Sequence, residues 1–254
     1  MKKIKENKEE SGIIPFKIVD LTSRQSNDFI ESICVTTDNL TEHKVVEFII
    51  SQIKNSDSEL AKTNTIKVIE ISPSEFAKVL NTPRDEIYRN ARNIAINMTK
   101  RQYNFQYTDS KGKKAFRVGN FLTDMLYENN MIKISINPVI LPYFIEVKAK
   151  FTEFQLKYLT AMNSTYGIRL YKLLKQYQII GKREFSVEEL RKHFNIETNK
   201  YKQYSDLKKY TILMAIKHIN EYTDIVVELE EHKVVRSVKK LTFHIKSSNR
   251  TMID

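Results

Sequence analysis

The chain has 254 residues, 41% of them hydrophobic and 29% charged, with a formal net charge of +11 and a sequence pI of about 9.4. That is room for two modest domains and enough apolar material for their cores, and the positive excess favours a polyanionic partner, nucleic acid first. No apolar run approaches the ~20 residues of a membrane span, the mixed-charge start Met1–Glu10 is unlike a signal peptide, and the single cysteine, Cys34, excludes an internal disulfide or a cysteine-cluster zinc site. A cytoplasmic protein with no membrane partner is expected.

Residues 1–37 read as a polar arm. Lys2, Lys3, Lys5 and Lys8 alternate with acids, which predicts a mobile end. A short apolar patch follows at Ile33–Val35.

A first domain is expected over residues 38–147. Thr41 can cap a helix carrying an apolar stripe of Val45, Phe48, Ile49, Ile50 and Ile53. Ile66–Ile71 alternates as a strand. Ser72-Pro73-Ser74-Glu75 is a capping box with proline at the first helical position. Asn81-Thr82-Pro83 ends that helix and opens another, from Arg84 to Lys100. This second helix bears Arg84, Arg89, Arg92 and Asn93, and the pair is a helix-turn-helix candidate. Tyr103–Tyr107 and Ala115–Val118 read as a hairpin whose turn holds Lys111, Lys113 and Lys114. That hairpin is expected to be the wing of a winged helix. Ile132–Ile136 is a further strand, and Pro138 and Pro142 close the domain.

A second domain over residues 148–247 repeats the order, and residues 248–254 are a tail. Phe151–Met162 is expected to be helical with Thr152 as cap, and Tyr166–Tyr177 helical again. Arg183-Glu184-Phe185 is a short strand, and Ser186-Val187-Glu188-Glu189 a second capping box, a better account of those two glutamates than acid chemistry. Between Lys200 and Tyr222 the chain changes character. Its front holds Lys200, Lys202, Gln203, Tyr204, Asp206, Lys208 and Lys209, while Ile212, Ala215, Ile216, Ile219 and Tyr222 form one apolar face behind. Ser205 is the expected N-cap. Ile225–Glu230 and Val238–Ile245 then alternate as strands around Glu231-His232-Lys233. The fold expected is α+β, mainly helical: two tandem winged-helix domains, each a helix-turn-helix plus a β-hairpin.

Catalytic chemistry is sparse. Gly112-Lys113 and Gly181-Lys182 lack the upstream glycine of a phosphate loop. The five histidines, His43, His193, His218, His232 and His244, include no His-x-His or His-x-x-x-His pair of the kind a metal-dependent nickase wants, and nothing selects one of the thirteen tyrosines as nucleophile. No enzyme activity, cofactor or metal is expected.

Several segments resemble the Rep initiator proteins of theta-replicating, iteron-containing bacterial plasmids. They include Gln25-Ser26-Asn27-Asp28-Phe29-Ile30-Glu31, Tyr166-Gly167-Ile168-Arg169-Leu170-Tyr171-Lys172-Leu173-Leu174, Phe185-Ser186-Val187-Glu188-Glu189-Leu190-Arg191 and Tyr204-Ser205-Asp206-Leu207-Lys208-Lys209. The likeness runs over about residues 22–247. It implies a double-stranded DNA partner in the form of repeated origin sequences and an operator, opening of adjacent A·T-rich DNA, and recruitment of the host initiator and replicative helicase. It also implies a monomer–homodimer equilibrium. A winged-helix repressor without a replication role is the alternative. Where the family often carries arginines after the aspartate, this chain has Lys208-Lys209-Tyr210, and lysine lacks the planar fork of arginine.

The expected base contacts are Lys200, Lys202, Gln203, Tyr204, Lys208 and Lys209, with Arg183 and Lys246 on phosphates. In the first domain Arg84, Arg89, Arg92, Asn93, Lys111, Lys113 and Lys114 are expected to grip the backbone in an adjoining groove. Arg169 is expected in a structural ion pair, and Tyr171 and Tyr177 in the core.

Overall fold

The computed structural model describes residues 21–31, 39–145 and 151–248. The expected mobile start, the patch at 33–35 with Cys34, and the tail from 249 on lie outside the described residues.

The first half opens with β1 (Thr22–Ser26) and α1 (Asn27–Glu31), then α2 (Leu40–Ser51), α3 (Ser58–Lys62), β2 (Lys67–Ile71), α4 (Pro73–Leu80) and α5 (Arg84–Thr99). β3 (Gln102–Thr108), β4 (Lys114–Asn120), β5 (Leu122–Glu128), β6 (Met131–Ile136) and α6 (Pro142–Ile145) follow. The second half holds β7 (Phe151–Gln155), α7 (Leu156–Ala161), α8 (Thr165–Lys175), β8 (Lys182–Ser186) and α9 (Val187–His193). It closes with α10 (Tyr204–Leu207), a π-helical turn over Lys208–Ile212, α11 (Leu213–Tyr222), β9 (Ile225–Val234) and β10 (Ser237–Ser247).

Each half is a winged helix. In the first, β2, β6 and β5 make an antiparallel sheet with Ile69 opposite Ile134 and Ile71 opposite Ile132. Period-two alternation turns these isoleucines to one face, where they are buried with Phe76, Ile87, Ile94 and Met98 from α4 and α5. The Ser72 capping box forms as expected: Ser72 Oγ accepts from the Glu75 amide at 3.2 Å, and Glu75 Oε2 accepts from the Ser72 amide at 3.1 Å. In the second half the sheet is β8-β10-β9, with Phe185 opposite Leu241, and it packs with α8 and α11 around Leu170, Leu173, Ile219 and Phe243.

Several expectations are corrected. The first wing is β5–β6, not the hairpin at Tyr103–Val118. Among the described residues β3 and β4 pair only with each other, as a two-stranded insertion between α5 and the sheet. The β5–β6 turn is Asn129-Asn130, both at positive φ (50° and 57°), which asparagine tolerates better than most residues. Asn39 caps α2, its side chain accepting from the Glu42 amide at 3.2 Å, in place of Thr41. α2 is no one-sided stripe either. It is central, and Glu42, His43, Lys44 and Glu47 are buried along with its apolar residues.

Phe151–Gln155 is a strand rather than the start of a helix. It pairs antiparallel with β1 in the register Thr22↔Gln155 to Ser26↔Phe151. The Thr152 hydroxyl caps nothing and donates to Asn27 Oδ1 at 2.9 Å. Residues 22–31 are ordered and act as a joint. In α1, Phe29 lies edge-on to Phe144 at 4.9 Å in the first core, while the next residue, Ile30, is buried in the second. The second wing is longer than expected and turns at Val235-Arg236, four residues beyond Glu231.

Candidate nucleic-acid interface

In the second half, α9 and the helix running from α10 through α11 are the helix-turn-helix. The Ser186–Glu189 capping box fixes where α9 begins, with bonds of 3.1 and 2.8 Å. The loop after α9 is irregular, and Arg191 organises it. Its Nη1 donates to the Tyr201 carbonyl at 2.9 Å, and its Nη2 to those of Glu197 at 2.9 Å and Lys200 at 2.6 Å. One half-buried guanidinium thus satisfies three backbone acceptors and orders the loop that carries Lys200 and Lys202, both exposed. Tyr201 takes a left-handed conformation (φ 48°) and stacks on Tyr210 at 6.0 Å and 22°, fastening loop to helix.

The α10–α11 helix starts two residues earlier than expected. Gln203 holds the cap position, its carbonyl accepting from Asp206 and Leu207, and Ser205 lies exposed in the first turn. Leu207, Thr211, Ile212, Ala215 and Ile219 root it, while Ile216 and Tyr222 are half-buried. Gln203, Lys209, Tyr210, Leu213, Met214 and Lys217 face outward. The π turn at Lys208–Ile212 adds a residue inside the helix, a feature frequent at functional sites.

Glu231 on β9 ties this helix to the wing. It accepts from the Tyr204 hydroxyl and lies 3.0 Å from Lys208 Nζ. Burial raises the Glu231 carboxyl, but the hydrogen bonds from Tyr204 and Lys208 prevail and hold it below its ordinary value. Burial first, and then Glu231, push the Tyr204 hydroxyl far up, so it is a donor at any ordinary pH. Between helix and wing runs an open groove. Lys202, Tyr204, Ser205 and Lys208 line one side, and Lys233, Arg236 and Lys239 the other. These three wing cations escaped the sequence reading because it placed the turn at Glu231-His232-Lys233. The signal was there: Lys233, Arg236, Lys239 and Lys240 fall within eight residues.

Two expected phosphate contacts lie elsewhere. Arg183 is buried. Its Nη1 and Nη2 each donate to Glu31 at 2.8 Å, Nη1 also donates to the Leu173 carbonyl at 2.7 Å, and its guanidinium sits over the rings of Tyr177 and Phe185 at 4.5 and 4.3 Å. Both terminal nitrogens and the ring contacts of the group are thus used inside the protein. Lys246 is exposed but lies beside Glu228 at 3.2 Å, near the end of β10 away from the wing tip. Ten residues of strand, roughly 30 Å, separate it from Arg236. Arg169, expected in a structural ion pair, donates to the backbone carbonyls of Ile30 at 2.7 Å and His193 at 3.1 Å. Tyr171 is fully buried, with its hydroxyl on Asp224 at 2.8 Å.

In the first half, Arg84, Arg89, Arg92 and Asn93 all stand exposed on α5. Arg84 donates to the Tyr88 hydroxyl at 3.0 Å, which donates to Asn130 Oδ1 at 2.9 Å in the β5–β6 turn. α5 is thus linked to its wing as the α10–α11 helix is to its own. Lys111, Lys113 and Lys114 are exposed on the inserted hairpin, whose turn is closed by Asp109 Oδ1 accepting from the Lys111 and Lys113 amides at 2.9 Å each. Among the described residues no group of three His, Cys, Asp or Glu is placed to hold a metal ion, and no helix is long and apolar enough to cross a membrane.

Two helix-turn-helix units, each with exposed cations on its second helix and a hairpin beside it, define a tandem winged-helix protein of the DNA-binding type. Comparison with known families makes this specific. The WH1 profile of initiator replication proteins matches residues 22–175, and the WH2 profile of initiator Rep proteins matches residues 186–245. The chain belongs to the initiator replication protein family. Its fold is that of the Pi initiator protein crystallised in complex with iteron DNA, at a TM-score of 0.72 and 18% identity over 91% of this chain and 99% of that one. Domains 2 and 3 of RctB match more loosely, with a TM-score of 0.44 and 11% identity over 89% of this chain and 86% of that one.

Proposed function

We propose that this chain is a plasmid replication initiator that binds repeated origin sequences in double-stranded DNA, promotes opening of the adjacent duplex and recruits the host initiator and helicase. The observation that carries this is the basic groove of the WH2 unit, where Glu231 holds the reading helix against a wing bearing Lys233, Arg236 and Lys239. The Pi initiator, of the same fold, is bound to iteron DNA, which supports the same class of target here.

On this reading the outward residues Lys200, Lys202, Gln203 and Lys209 reach base edges from the front of the helix. Lys208 and Tyr204 set its angle through Glu231. The wing cations and Lys111, Lys113 and Lys114 neutralise phosphates, and Arg84, Arg89, Arg92 and Asn93 hold the backbone one groove away. β1 and α1 pack into both units. The test is a footprint over the DNA flanking the coding sequence, joined to a replication assay. Protected direct repeats, and a plasmid sustained by gene plus flank, are expected. Protection of a single operator, with no replication, would overturn the proposal.

A further inference from the structure

On the outer face of the reading helix, Tyr210, Leu213 and Met214 are 46%, 45% and 44% exposed. They are not a core that failed to close, because Leu207, Ile212, Ala215 and Ile219 already root the same helix. Lys209 stands one turn before Leu213 and Lys217 one turn after it, so the apolar patch lies between two exposed cations on one face. From Gln203 to Lys217 this face is roughly 20 Å long. A strip that is apolar in the middle and cationic at both ends complements a surface with apolar groups on its floor and anions on its rims. The DNA major groove is such a surface: thymine methyl groups lie on the floor and phosphates on the rims.

We propose that Leu213 and Met214, flanked by Tyr210, contact thymine C5-methyl groups, so that the sequence read by the WH2 unit is marked by thymines at defined positions. This rests on the DNA-binding reading above and adds a base preference to it. It also accounts for lysines standing where the family often has arginines. Without the planar fork that pairs with guanine, the helix has less hydrogen-bonded selectivity and gains from shape and methyl contacts.

The test uses the purified full chain and a duplex selected by it from a random library. Each thymine is replaced in turn by deoxyuridine, which lacks only the methyl group. Wild type should bind about four-fold more weakly for each contacted methyl lost, the value of one buried methyl group. Leu213→Ala and Met214→Ala should each bind the thymine duplex as weakly as wild type binds the matching uracil duplex, and should no longer distinguish the two. Both residues are exposed, so thermal melting should be unchanged and a folding defect is excluded directly. Equal wild-type binding to thymine and uracil duplexes at every position overturns this inference and leaves the DNA reading standing. A shift of oligomeric state in the variants, with no thymine preference in wild type, would make the face a subunit contact and also overturn it. Failure to select any sequence from the library overturns both.

Discussion

Lys172 Nζ lies 2.5 Å from Oε1 of Glu47, and both side chains are buried where α8 of the second half meets α2 of the first. The other carboxylate oxygen of Glu47 accepts from Gln25 Nε2 at 2.6 Å and from Ser23 Oγ at 3.4 Å. Strand β1 thereby joins the pair, and one carboxylate holds three segments together. Burial lowers the Lys172 pKa, while Glu47 pulls the other way.

Glu47→Ala leaves the Lys172 ammonium buried without its counter-charge and should cost about 3–5 kcal/mol. Replacing both, as Glu47→Leu with Lys172→Met, should recover much of that loss, because neither charge then has to be desolvated. Urea unfolding of the two single variants and the double variant measures the coupling directly. A double variant as unstable as the sum of the singles would show that the pair does not act as a unit.

Arg183→Ala should lower stability by about 2–3 kcal/mol, softened from the fully buried case because Glu31 is partly exposed. The DNA affinity of the folded protein and its dependence on salt should not move, since the guanidinium is occupied by Glu31, Leu173, Tyr177 and Phe185. Chemical unfolding and a binding isotherm below the melting temperature separate the two effects. A flatter salt dependence in this variant would return Arg183 to the DNA surface.

His193 gives a pH dependence of known sign. Burial holds it down to about 4, and Arg169 and Arg183 press the same way against Glu31 and Glu189. The unfolded chain takes up its proton near the ordinary value of 6.5, so between about 6.5 and 4 the unfolded state binds more protons than the folded one. The stability contributed by the neutral ring is present above that window and is lost as pH falls through it. Glu31 and Glu189, both held below the usual carboxylate range, act at lower pH. Melting temperature against pH should therefore fall through the window for wild type and stay flatter for His193→Gln.

How far the sequence reveals this molecule depends on the range of the interactions involved. The capping boxes at Ser72 and Ser186 are local hydrogen-bond patterns, and both stand where residue type and spacing put them. The rooted rear and basic front of the reading helix are likewise written within some twenty residues. β1 and β7 are not. Their pairing joins Thr22–Ser26 to Phe151–Gln155, and the buried side chains of β1 are Ser23 and Gln25, which give no apolar signal. Arg183 and Lys246 fail for a related reason: charge is visible in a sequence, but the acid that meets it, Glu31 or Glu228, is fixed only by the fold. The inserted hairpin passed for a wing because strand alternation does not say which sheet a strand joins.

Lys208 and Lys209 are adjacent in sequence and differ in situation. Lys208 shares Glu231 with Tyr204, whereas Lys209 is exposed with its ammonium 5.1 Å from the Tyr210 ring centroid. Lys209→Ala should cost specific binding about 1–3 kcal/mol, the value of a base contact. Lys208→Ala should act on specificity more than on affinity, because it loosens the helix from β9. Together the two should lose the roughly 1–3 kcal/mol of the Lys209 contact and, through Lys208, part of the discrimination between the selected and a scrambled sequence. Titrations against the selected duplex and a scrambled one give both numbers, and a double variant that binds its site as wild type does would remove the WH2 helix from the reading role.

The wing and the inserted hairpin are distinguished by salt. Each phosphate neutralised adds about −0.9 to the slope of log affinity against log salt. Lys233, Arg236 and Lys239 line the groove beside the reading helix, so replacing all three with alanine should flatten the slope by roughly 2–3 while leaving the order of preferred sequences intact. Lys111, Lys113 and Lys114 stand on a hairpin that, among the described residues, pairs with no other strand, and Asp109 braces its turn. Their triple replacement should flatten the slope by a similar amount only if that hairpin lies along the same duplex. Lys246→Ala, at the other end of β10, should leave the slope unchanged. A slope insensitive to the wing but lowered by Lys246→Ala would place the DNA at the opposite end of the ribbon from Arg236, and the helix front could then not occupy the same groove.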